Sequence, residues 1–137
     1  MRSTVQIAGV DIYVNHPVLH LGATDWVPVS LALETAPAVS CDTHVAVRVR
    51  AQRGLIKVRL FTQSQAPEAE GPNPEFTTVF DGSLLLPDGR IAVGDVEQLT
   101  RFVHRVGDRG EFNVRVAVDS PGPDASAIDI TVTRPSN

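Results

Sequence analysis

Apolar and polar residues alternate with a period of two along most of this chain, the spacing of a half-buried β-strand. Val45, Val47 and Val49 carry the pattern, as do Ile56, Val58 and Leu60. Phe112, Val114, Val116 and Val118 repeat it, and Ile128, Ile130 and Val132 close it. Near the start, Val5, Ile7, Val10, Ile12 and Val14 keep the alternation with a change of phase at Ala8-Gly9, where the glycine marks a bulge. Val18–Leu21 reads as a short strand. Trp26–Leu33 reads as another, held to an edge or a bulge by Pro28, which cannot donate to a ladder.

The turns between these runs predict hairpins. In FDGSLLLPDGRIAVGD, Phe80 to Asp95, Pro87 presets φ and Gly89 accepts φ > 0, so a Pro-Asp-Gly turn reverses the chain between two strands. A loop at Gln52-Arg53 would set Val49 opposite Ile56, Val47 opposite Val58 and Val45 opposite Leu60, with every apolar side chain on the core face. The last two runs flank the turn-rich Ser120–Asp124 and predict an antiparallel pair. Residues 95–107 admit two readings. Asp95 caps a helix with Val96, Leu99, Val103 and Val106 on one face, or a turn leads into a strand at Arg101–Val106; the surrounding β-branched residues favour the strand. The expected fold is all-β: a single antiparallel two-layer β-sandwich of about eight strands, one domain over residues 1–137.

Composition narrows the function classes. A 137-residue chain that is 42% hydrophobic is long enough to bury a core without disulfides or metal. Its net charge of −4 argues against a generic nucleic-acid binder, whose affinity would rest on clustered Lys and Arg. Cys41 is the sole cysteine, which suits a reducing compartment. Gln6, Gly9 and Asp11 interrupt the apolar run a signal peptide needs, and no run reaches spanning length. A cytoplasmic protein with no membrane association is the expectation.

Two surfaces stand out. The predicted register of the Gln52-Arg53 hairpin gathers Arg48, Arg50, Lys57 and Arg59 on its outer face, with Arg48 directly opposite Lys57. Like charges so placed repel, so a neighbouring acidic strand or loop offsets them or the face awaits an acidic partner. The loop from Gln63 to Glu75 is rich in proline and carries Glu68, Glu70 and Glu75, making it an acidic counterpart or a partner-binding surface. Tyr13 and Trp26 at a concave end would instead mark a small-ligand or carbohydrate site, although a lone tryptophan beside apolar strands ordinarily packs. An exposed edge strand would allow self-association.

Chemistry is harder to find. Cys41 and His44, with Asp42 between them, lack the further ligands structural zinc requires, so no metal or cofactor is expected. Asp119 and Asp124 would suit a loop calcium site, but turn aspartates have a sufficient local role. The histidines His16, His20, His44 and His104 have no helper motif, and neither a nucleophile elbow nor a phosphate-binding glycine loop occurs. A non-enzymatic interaction module is the reading that remains.

The succession VAVRVRAQRGLIKVRLF, a Pro-rich acidic loop, FTTVFDGSLLLPDGRIAVGD, GEFNVRVAVDSP and IDITVTRP resembles a group of small bacterial β-sandwich proteins related to competence protein J, a nuclease inhibitor. The likeness runs from about Val45 to Pro135. Its marks are Pro-x-Gly-Arg within Leu86–Ile91 and Gly-x-aromatic-x-Val-Arg-Val over Gly110–Val116, with Phe112 where such proteins often carry tyrosine. The resemblance implies a protein that binds and inhibits a partner protein, an inhibitor or immunity-type module, and carries over no catalytic residues.

Overall fold

The computed structural model describes residues 3–14, 16–25, 27, 31, 36–49, 54–64, 71–95, 101–120 and 125–134. Among them the strands in chain order are β1 (Ser3–Val14), β2 (Val18–Gly22), β3 (Ala38–Ser40), β4 (His44–Arg48), β5 (Gly54–Ser64), β6 (Thr77–Leu86), β7 (Arg90–Asp95), β8 (Arg101–Arg105), β9 (Gly110–Val118) and β10 (Ala127–Thr133). One sheet has the order β1-β5-β10-β9-β6 and the other β3-β4-β2-β7-β8. Ile12, Val58, Leu84, Phe112 and Ile130 from the first sheet share one buried cluster with Leu19, Val47, Ile91 and Val93 from the second, a sandwich-like arrangement. The apolar half of each alternation meets the apolar half of the opposing sheet, and full burial of each such side chain contributes about 1.5–3 kcal/mol.

The alternation is borne out, but the pairing is not what the turns suggested. β4 and β5 belong to different sheets, so Val49, Val47 and Val45 are not ladder partners of Ile56, Val58 and Leu60. The same holds for β6 and β7. The Pro87-Asp88-Gly89 turn closes with Gly89 N–H donating to Leu86 C=O at 3.0 Å, and then carries the chain across the core into the second sheet. A hairpin and a crossing between sheets bury the same alternate residues, so periodicity does not separate them.

Three further differences are local. Among the described residues ten strands replace about eight, and three-residue β3, held against β4 by the pairs Ala38–Val47 and Ser40–Val45, falls in a stretch where the alternation predicts no strand. The architecture is not wholly antiparallel: β10 is antiparallel to β9 but sits between it and β5, which leaves it parallel to β5 with Ile128 beside Val58 and Ile130 beside Leu60. The strand reading of Arg101–Val106 holds, as β8, yet β8 pairs backwards with β7 rather than forwards with β9. The β9–β10 hairpin agrees with expectation, and β1 has the expected irregularity, but its register shift falls between Gln6 and Ala8 and leaves Gly9 regularly paired with Arg59. Most of Trp26–Leu33 lies outside the described residues.

Leu85 N–H of edge strand β6 donates to Asp42 C=O at 2.8 Å, a backbone bond from the first sheet to the loop that leads into β4 of the second. It both ties the layers and occupies part of an open edge.

Candidate functional site

The basic face expected of one hairpin is divided between the sheets. Arg48 is on β4, where its Nε donates to Ala36 C=O at 3.4 Å, while Lys57 and Arg59 are on β5. Lys57 stands opposite Asp11 of β1 and is exposed. Arg50, Glu68, Glu70 and Trp26 lie outside the described residues. Glu75 is exposed, its N–H donating to Asn73 Oδ1 at 2.9 Å. Tyr13 is 42% exposed on β1 and faces Leu55 of β5, itself 53% exposed, so the two form an outward apolar pair.

Arg59 does meet an acidic neighbour, and it comes from an adjacent strand. Its Nε donates to Asp129 Oδ1 at 2.8 Å and its Nη2 to Oδ2 at 2.7 Å, with Asp129 directly beside it on parallel β10. Asn73 N–H adds a third bond to Oδ2 at 2.8 Å. The Pro72–Phe76 stretch of the predicted acidic loop is thereby tied to the outer face of the first sheet. It borders a cleft of about 260 Å³ with Arg115, Ala117 and Thr131. The Arg59 guanidinium also lies 5.1 Å from the centre of the Phe61 ring. Such a saturated ion pair is a structural anchor rather than an unpartnered binding group.

The second sheet carries a polar cluster of its own. His44 is buried at the head of β4, and its Nε2 lies 3.1 Å from the carbonyls of both Ala23 and Asp25. Carbonyls only accept, so Nε2 carries a proton, while Nδ1 lies in hydrogen-bond contact with Thr43 Oγ1 at 2.7 Å. His44 therefore clamps residues 23–25 onto the sheet. His20 of β2, one strand away, and buried Asp95 at the end of β7 line the same small cavity with Asp25 and Arg101. Burial, and secondarily His44, lowers the His20 pKa below 6.5 against an opposing pull from Asp95. At about 20 Å³ the cavity is small, with room for ordered water among these groups.

Cys41 does not join His44: its Sγ lies 3.7 Å from Thr43 Oγ1, which is the group bonded to the imidazole. Among the described residues no cluster of three or more His, Cys, Asp or Glu is arranged to hold a metal ion. Asp119 is fully engaged, accepting from the N–H groups of Ser120, Ser126 and Ala127 and from Ser126 Oγ. Its role is to close the β9–β10 connection; Asp124 lies outside the described residues.

One surface was not legible as a unit in the chain. The turn at Pro87–Gly89 and the segment Val106–Arg109 meet through Gly89 C=O, which accepts from Val106 N–H at 2.9 Å and Gly107 N–H at 3.3 Å. Around them Arg90 of β7 stands directly opposite Arg105 of β8. Asp88 holds Arg90 through Nη2 at 2.9 Å, Asp108 lies 3.6 Å from Arg105, and Arg134 donates to Asp108 C=O at 2.8 Å while covering Phe112. Arg101 extends the basic group along β8 and donates to Thr24 C=O at 2.6 Å. An acidic chain thus presents a local arginine-rich corner, drawn from segments more than forty residues apart.

No protein-family model matches the chain, and no curated protein matches it in sequence. Its three-dimensional form does have counterparts. ComJ from Bacillus subtilis, described as an inhibitor of the DNA-degrading activity of NucA, superposes with a TM-score of 0.67 at 11% identity, covering 96% of this chain and 98% of ComJ. This chain has a ComJ-like fold. Crocagin biosynthetic gene J is a second counterpart, with a TM-score of 0.58 at 17% identity and 99% coverage of both chains. At these identities the likeness is one of fold.

Proposed function

We propose that this chain is a non-enzymatic, cytoplasmic binding module of the inhibitor type, whose target is a partner protein, with a nuclease the first class to test. The observation that carries the reading is the near end-to-end fold correspondence with ComJ, an inhibitor of a nuclease. The side chains support it: His44, Asp119 and Asp129 are each committed to holding loops or strands together. The exposed Tyr13–Leu55 pair beside Lys57 supplies the mixture of aromatic, apolar and charged groups found at protein interfaces.

The test is to add purified protein to DNA-degrading nucleases from the same source organism, following DNA cleavage and co-elution in gel filtration. A one-to-one complex with suppressed cleavage is the expected result. Unchanged cleavage and separate elution for every such nuclease would overturn the nuclease reading. Lys57→Glu and Tyr13→Ala are suitable probes of the surface. Arg59→Glu is not, because it sets a like charge against buried Asp129 and confounds binding with folding.

A further inference from the structure

Strand β8 ends its sheet: it is bonded to β7 on one side, and among the described residues no other strand pairs with it. Its exposure alternates, with Arg101, Val103 and Arg105 outward and Phe102 and His104 half-buried. Val103, 39% exposed, is therefore an apolar step between two cations on one face of an open edge. Basic residues on an edge block indiscriminate strand pairing. The same charges also choose a partner. An antiparallel pairing of two copies centred on Val103 sets Arg101 of each against Arg105 of the other, a repulsive arrangement. A strand reading acidic-x-apolar-x-acidic meets both arginines with opposite charge and Val103 with an apolar side chain.

We propose that the open edge of β8 receives an extended acidic segment of a partner protein as an added strand. Main-chain bonds to the edge supply the docking, and Arg101 and Arg105 supply the selection by charge. The inference deepens the binding-module reading by naming where the partner docks and the chemistry it brings.

The experiment uses a fluorescein-labelled peptide TETVTET and its basic counterpart TKTVTKT, titrated against the full chain by anisotropy to about 1 mM, the range of a weak isolated strand. Amide hydrogen exchange is followed in parallel. The acidic peptide binds the more tightly, binding weakens as salt is raised, and the amides of Arg101–Arg105 gain protection. The double variant Arg101→Glu with Arg105→Glu weakens binding about tenfold or more, from two lost charge pairs and two new repulsions. Val103→Glu does the same with both arginines intact, and thermal melting verifies that each variant is folded. Absence of binding, equal binding of the two peptides, or protection confined to another strand overturns the proposal. Protection of β8 that rises with protein concentration alone also overturns it, by making a second copy the occupant. No nuclease enters the assay, so its outcome is independent of whether the chain inhibits one.

Discussion

Arg59 and Asp129, seventy residues apart in the chain, form a two-pronged ion pair between parallel neighbours β5 and β10, with bonds of 2.8 and 2.7 Å. The Asp129 side chain is 1% exposed and that of Arg59 31%. Removing the cation leaves a buried carboxylate with only Asn73 N–H in compensation among the bonds described. Arg59→Ala is expected to destabilise the fold by about 2–4 kcal/mol. Arg59→Lys recovers only part of this, because an ammonium cannot make the paired contact. Urea denaturation of the two variants measures both; an Arg59→Ala midpoint equal to wild type would show that the pair is energetically idle.

Gly89 has φ +71°, and a Cβ there would strike the Gly107 carbonyl oxygen and crowd Asp108. The clash is with backbone, so a rotamer change does not relieve it. Gly89→Ala is expected to cost about 2–4 kcal/mol through left-handed strain and overpacking. Asp88→Ala, which removes the bonds to Thr24 and Arg90 but leaves the backbone alone, is expected to cost less. Melting temperatures of the two should fall in that order.

His20 makes stability sensitive to pH below neutrality. Its folded pKa is lowered by burial and then by His44, so below 6.5 the unfolded chain binds more protons than the folded one. Stability is full above 6.5 and is lost as pH falls through the window down to the folded pKa. His20→Gln should flatten that window, read from urea midpoints between pH 7 and pH 5, a range set by the usual histidine titration (about 6.5). An unchanged slope would assign the dependence to another group.

Asp119 acts at lower pH. Burial alone would raise its pKa, but bonds from Ser126, Ala127 and Ser120 outweigh it and the net shift is below 3.8. The depressed value means that its stabilisation is present above 3.8 and lost as pH falls through the folded pKa. Asp119→Ala is expected to cost about 1–3 kcal/mol near neutral pH through unsatisfied backbone donors and to reduce acid sensitivity below about pH 4. Guanidinium melts at neutral and acid pH give both quantities; a variant that keeps the full acid sensitivity of wild type would remove Asp119 as its source.

The period-two pattern was sufficient to place the core face of β4, β5, β7, β9 and β10, because the pleat that puts Val45, Val47 and Val49 on one side is a property of each strand by itself. The φ > 0 turn at Gly89 was legible for the same reason, being set by residues adjacent in the chain, and the irregularity of β1 was legible to within two residues of its place between Gln6 and Ala8. Which strands pair was decided only in three dimensions. Val47 and Val58 bury equally well as hairpin partners and as core residues of two different sheets, and the core-facing pattern is identical in both. That choice separated Arg48 from Lys57 and Arg59, gave Arg59 its partner in Asp129, and gathered Arg90, Arg105 and Arg134 at one corner. Local geometry dictates which way a side chain faces; its neighbour across the sheet depends on contacts between distant segments, which residue order alone does not encode in readable form.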